Sequence, residues 1–247
     1  MVPILEVNAL FGGYLPNRPV LHDLTFSIRR GEMMGLIGLN GAGKSTTIKN
    51  ILGLLQPHKG SIRINGLTLA ESPLPYRATY AYVPESPELY EELTIREHLE
   101  LTAMTYGVSK EDYAVRSQSL LEQFQMTDKL NSFASHLSKG MKQKVMIMNA
   151  FLIEPSLYII DEPFLGLDPL AIRSLLELMV HMKKKGASFL ISSHILSTIE
   201  KYCDNYVVLH KGHRVAQGDI VELRTQTGLP QASLDDIFYR LVQGDLR

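Results

Sequence analysis

Cysteine is nearly missing from this chain: Cys203 stands alone among 247 residues. That excludes an internal disulfide framework and permits a reducing compartment. Cys203 follows a helical stretch and reads as a small buried hydrophobe. Net charge is equally sparse, with 25 Lys and Arg against 26 Asp and Glu. A nucleic-acid binder needs a basic face to meet the phosphate backbone, so no nucleic-acid partner is expected. The one dense basic run, Lys183, Lys184 and Lys185, precedes Gly186 at an expected helix end, where positive charge complements the macrodipole. Long apolar runs are lacking too. The longest patch, Val145 to Ile153, is broken by Asn149 and falls well short of the ~20 residues a membrane span needs. The N-terminus shows no basic stretch followed by an apolar one, so no secretory signal is expected. There is no internal repeat and no low-complexity tract. With hydrophobic residues at 45%, the expectation is a soluble chain with a sizeable core, reaching a membrane only through a partner.

What is present centres on Gly38-Leu39-Asn40-Gly41-Ala42-Gly43-Lys44-Ser45. It follows the apolar run Met33 to Ile37 and precedes an amphipathic segment, Thr46 to Leu55. This is the G-x-x-x-x-G-K-[ST] pattern in the strand–loop–helix setting it requires. The glycines allow a tight turn whose N–H groups point at phosphate oxygens. The helix presents its positive end to the same anion. Lys44 can reach the β- and γ-phosphates of a nucleotide and the Ser45 hydroxyl can ligate Mg²⁺.

Around this loop the chain alternates. Residues 4–10, 22–30 and 61–65 suit strands, and Asn65-Gly66 marks a turn. Residues 78–84 read as a buried strand. From Glu85 the character changes: helical spacing runs over 94–106, 110–124 and 138–153, so residues 86–155 form an all-helical insertion. The β/α alternation then resumes. Leu157 to Ile160 is an apolar strand ending in Asp161-Glu162. Asp168-Pro169 caps and opens a helix reaching Lys185. Ser188 to Ile191 is a strand followed by Ser192-Ser193-His194. Residues 207–209 and 215–217 suit a closing hairpin around Gly212, and Ser233 to Asp236 has capping-box spacing for a terminal helix.

Ligands in open parallel sheets sit at the C-terminal strand edge. Asp161 there can hold Mg²⁺, and Glu162 can orient and polarise an attacking water. His194, at the end of a neighbouring strand, can contact the γ-phosphate. The helix at Ser138 carries Lys139, Lys142 and Lys144 in its first two turns, against the helix dipole. A phosphate bound at Ser138 would remove the conflict. That helix is about 24 Å long at 1.5 Å per residue, so its start lies far from Lys44 of the same molecule, and the phosphate would belong to a second copy. The competing reading is an exposed lysine-rich face.

In this order the pieces resemble an ABC-type ATPase cassette over nearly the whole chain. Leu137-Ser138-Lys139-Gly140-Met141 matches the signature usually written LSGGQ, with Lys139 and Met141 in place of Gly and Gln. Leu157 to Glu162 matches the second nucleotide motif, Gly166-Leu167-Asp168 the D-loop, and His194 the switch histidine. Phe164-Leu165-Gly166 replaces the more usual small-residue start of the D-loop. The segments 90–107, 139–169 and 232–241 are most similar to ATPase subunits of bacterial Ecs-type transporters.

The resemblance implies an α/β P-loop NTPase: a RecA-like core (1–85 and 156–225), an antiparallel β subdomain, an inserted helical subdomain (86–155) and a C-terminal tail helix (226–247). It implies ATP and Mg²⁺, with Tyr14 stacking on adenine, Gly38 to Ser45 and Thr46 holding phosphate, and Ser138 and Gly140 completing the site of a head-to-tail second copy. Glu85 stands where many members have Gln, a position that joins metal to the membrane partner, and a carboxylate can ligate Mg²⁺. Glu162 would be the general base, and His194 would hold the γ-phosphate. The implied setting is the cytoplasmic face of a membrane, on a separate permease, driving export. Rival readings are a repair or translation ATPase, an ATP-binding regulator, and a GTPase or small-molecule kinase. The first lacks long heptad arms or a second cassette here. The second sits badly with the intact Lys44, Asp161, Glu162 and His194. The third lacks an Asn-Lys-x-Asp motif and does not explain Ser138.

Overall fold

Central to the fold is a five-residue strand with every position buried, β3 (Met33–Ile37). The computed structural model describes residues 2–243. Two strands precede β3, β1 (Leu5–Gly12) and β2 (Leu21–Ile28). After it come α1 (Lys44–Ile51), β4 (Lys59–Ile64), α2 (Pro73–Ala78) and β5 (Tyr80–Val83). Three helices follow: α3 (Ile95–Tyr106), α4 (Lys110–Gln123) and α5 (Lys139–Leu152). The chain then alternates through β6 (Leu157–Asp161), α6 (Pro169–Lys184), β7 (Ser188–Ser192), α7 (Leu196–Tyr202) and β8 (Asn205–His210). It ends with β9 (His213–Gly218), α8 (Ile220–Thr227) and α9 (Leu234–Gln243).

The large sheet has the order β5-β6-β7-β3-β8-β9. Its pairs are parallel except β8 with β9. Being covered on both faces, β3, β6 and β7 are buried at every position and read as unbroken apolar runs, as parallel strands do. Successive residues face different layers. Met34, Leu36, Ile159 and Leu190 share a core with α1 and the small antiparallel sheet β2-β1-β4. Met33, Ile37, Tyr158, Ile160 and Phe189 share the other core with α3 to α9. A ring stack, Phe151 on Tyr158 at 4.5 Å and Tyr158 on Phe189 at 4.7 Å, anchors α5 to the sheet. Gly35 is where the sheet lets α7 approach: a Cβ there would lie 2.6 Å from Ile199 Cγ2.

The helical insertion starts on a full capping box, Thr94 with Glu97, and α5 starts on Ser138, whose Oγ accepts from Met141 N–H at 3.3 Å. Its boundaries at 85/86 and 155/156 fall in loops. Two helices exceed the sequence expectation. α2 is six residues opened by prolines, too short to show a period. α8 is opened by a capping box, Asp219 with Glu222, and closed by Gly228 at φ 70°. The expected core boundary at 225 therefore falls inside α8. The expected tail helix 226–247 is instead the end of α8, a loop, and α9; its residues 244–247 lie outside the described residues.

Candidate functional site

The phosphate loop turns sharply between β3 and α1. At Gly38 a Cβ would lie 2.7 Å from Leu209 O and 2.8 Å from Ala42 Cβ, and Gly43 has φ 109°. No side chain could occupy the first position without moving backbone, and the second is a left-handed conformation that L residues resist. The result is a cradle with backbone on its floor. α1 begins on Gly43 with no side-chain cap and no acid in its first turn, so its N–H groups are open to an anion. Thr47 Oγ1 donates to Gly43 O at 2.9 Å, and Gly212 N–H donates to Ala42 O at 3.0 Å, fixing the loop from behind. Lys44 is 7% exposed. Its Nζ donates to Gly38 O at 2.8 Å and stands 3.7 Å from Glu162 Oε1.

β6 and β7 deliver the acids and the histidine. Ser192 Oγ donates to Asp161 Oδ1 and accepts from Glu162 N–H at 3.1 Å. Glu162 has φ 46°, a left-handed conformation costing about 1–2 kcal/mol for a residue with a Cβ. This backbone turn frees Glu162 from the alternation of β6, so it faces the cleft while Asp161 lies buried beside it. His194 Nδ1 lies 2.7 Å from Glu162 Oε2, and the His194 N–H donates to the same oxygen at 3.1 Å. One carboxylate is thus held at one oxygen by Lys44 and at the other by His194.

Burial pushes the Asp161 carboxyl above the usual carboxylate range; Ser192 opposes this, while Glu85 and Glu162 add to it. A folded-state pKa above the unfolded one means that the ionised acid costs stability above the folded pKa. The cost disappears as pH falls below the unfolded value. Asp161→Asn is therefore expected to raise the melting temperature of the nucleotide-free protein at neutral pH, each kcal/mol gained reading as about 2–4 °C for a chain of this size. The gain should shrink toward acid pH in calorimetry; an unchanged or lower melting temperature at neutral pH would count against this reading.

These groups open on a cleft of about 730 Å³ lined also by Tyr14 and Glu85, within the ~300–1,000 Å³ typical of ligand sites. Tyr14 is 58% exposed, with Lys49 donating to its hydroxyl at 3.3 Å and lying 5.3 Å above its ring. Ser45, buried Asp161 and exposed Glu85 are oxygen donors of the kind Mg²⁺ takes. No three His, Cys, Asp or Glu cluster as a metal cage among the described residues. Mg²⁺ uses one or two carboxylates and leaves the remaining positions to phosphate and water.

Ser138 and Gly140 are not in this cleft. Ser138 is exposed at the start of α5, and a Cβ on Gly140 would lie 2.5 Å from Gly166 O. The lysine conflict is largely settled inside the chain: Lys142 pairs with Glu91 at 2.6 Å and Lys144 with Asp168 at 2.9 Å. Three lining residues escaped the sequence reading: Val20, Leu196 and Phe238. For Phe238 a signal existed, the 3–4 spacing of Leu234, Ile237, Phe238 and Leu241.

The sequence pattern of the ABC transporter family matches residues 21–165, more than half of the chain. The chain belongs to that family. Individual relatives place it further. The ABC-type transporter ATP-binding protein EcsA of Bacillus subtilis is 58% identical over 98% of both chains. Nod factor export ATP-binding protein I of Rhizobium meliloti is 36% identical over 88% of this chain and 64% of that relative. A solved ATP-binding subunit of an ABC transporter is 57% identical, with a TM-score of 0.94 over 96% of this chain and 99% of that one. The chain is accordingly an ATP-binding subunit of an ABC transporter, an ATPase.

Proposed function

We propose that this ABC subunit works as a head-to-tail pair, closing on two ATP molecules and driving export through a separate membrane subunit. The observation that carries the chemistry is the convergence of Lys44 and His194 on the two oxygens of Glu162, at the mouth of the phosphate loop. With ATP in the cradle, Lys44 exchanges Glu162 for phosphate. Glu162 then takes the proton of an attacking water as general base. His194 turns from Glu162 to the γ-phosphate, and Tyr14 offers its exposed ring to adenine. Ser45 and Asp161, with Glu85 at the rim, would hold Mg²⁺, whose part is to neutralise charge on phosphate oxygens. Ser138 and Gly140, lying outside their own chain's cleft, would complete the partner's.

No helix among the described residues is long and apolar enough to cross a membrane. The proposed setting is peripheral, on the cytoplasmic face, held by the permease. Tyr90, Leu101, Met104 and Tyr106, exposed along the insertion, give that partner an apolar surface to grip. Export is favoured by the name of the Rhizobium meliloti relative. Affinity purification of the full chain from detergent-solubilised membranes should recover an integral membrane subunit. Recovery of ribosomal or DNA-associated proteins alone would overturn the transport reading.

A further inference from the structure

The last helix reaches the nucleotide cleft. α9 buries Leu234 and Ile237 completely and packs Phe238 and Leu241 against the same core. Phe238 also lines the cleft, and so does Leu196, two residues beyond His194. An apolar ring in a phosphate site has no hydrogen bond to give; its part is steric.

α7, which starts at Leu196, needs support. It has only seven residues, its N-cap position makes no side-chain bond, and only Leu196 and Ile199 are buried. Helices this short are not stable on their own. α9 packs on it, and polar contacts tie the two. Leu234 N–H donates to Glu200 Oε2 at 2.9 Å, and Arg224 lies 3.7 Å from Glu200 Oε1. Arg224 Nε in turn donates to Ala232 O at 2.9 Å, holding the turn that leads into α9. On the opposite side α7 rests on Gly35. His194 itself is half-exposed and held on Glu162, so its freedom to leave that carboxylate is set by where α7 sits.

We propose that Phe238, carried by α9, is a positioning residue for His194: it fixes the start of α7 so that the imidazole can reach the γ-phosphate. The proposal rests on the reading of His194 given above. ATP hydrolysis and ATP binding by the full chain test it, in Phe238→Ala, Phe238→Leu, His194→Ala and the double variant His194→Ala/Phe238→Ala, each with its melting temperature. Phe238→Ala should lower kcat about tenfold or more, as displaced catalytic groups do. Its ATP affinity should stay within about twofold, since the loss falls on the transition state alone. Phe238→Leu should recover most of the rate, and the double variant should be no slower than His194→Ala. An unchanged kcat in Phe238→Ala, or a loss that multiplies with that of His194→Ala, would overturn the proposal. An unchanged kcat in His194→Ala would overturn the reading of His194 itself and the proposal with it. If Phe238→Ala does not fold, Phe238→Val in the same cycle reads the same coupling.

Discussion

Glu162→Gln is expected to cut ATP turnover by about 10²–10⁴-fold, the usual contribution of a positioned acid–base group, while ATP binding persists. Gln has nearly the same volume, and its amide oxygen can still accept from the His194 N–H, now 3.1 Å from the carboxylate. What it loses is charge. An amide cannot take a proton from water, so hydrolysis stalls. The same loss removes the anion 3.7 Å from Lys44, which in the nucleotide-free protein competes with phosphate for that cation. ATP affinity should therefore hold or rise, and the protein should collect as an ATP-bound dimer. Phosphate release, equilibrium ATP binding and light scattering check the three parts. Unchanged turnover would remove Glu162 from the role of base.

The second large effect is a rescue. Lys44→Ala deletes a charge-assisted contact to phosphate worth about 1.5–3 kcal/mol, roughly ten- to a hundredfold in affinity, and should nearly abolish hydrolysis. Ser138→Arg places a bulky side chain at the exposed start of α5, outside the chain's own cleft, and should also nearly abolish it. Mixed, the two should regain activity. In a head-to-tail hybrid one composite site carries both substitutions, and the other joins a native Lys44 to a native Ser138. Random pairing, with sites acting singly, gives about a quarter of the wild-type rate. Full activity of Ser138→Arg alone, or no rescue on mixing, would sink the head-to-tail arrangement.

Most of this site was legible in the sequence because it is built from strand ends. Apolar runs announced β3, β6 and β7, and parallel neighbours must bring Lys44, Asp161, Glu162 and His194 to one sheet edge. The turn at Glu162 was not legible, since a left-handed glutamate leaves no mark in composition. The lysines at α5 misled in part: the acids that answer Lys142 and Lys144 are Glu91 and Asp168, brought near only by the fold. α2 and α8 lacked an apolar period long enough to see. Phe238 lies far along the chain from every motif, and only packing of α9 on α7 brings it to the cleft.

Gly140 has a consequence that reaches beyond one site. Its lack of a side chain lets the first turn of α5 rest on the Gly166 carbonyl, and Lys144 holds Asp168 a turn further on. The part of the chain that the proposed pair would offer to a neighbour's nucleotide is thereby braced against the loop that follows its own Glu162. In the proposed head-to-tail pair, strain entering at one nucleotide would pass across this brace to the other. The two would fire in alternation or in concert, and not as strangers.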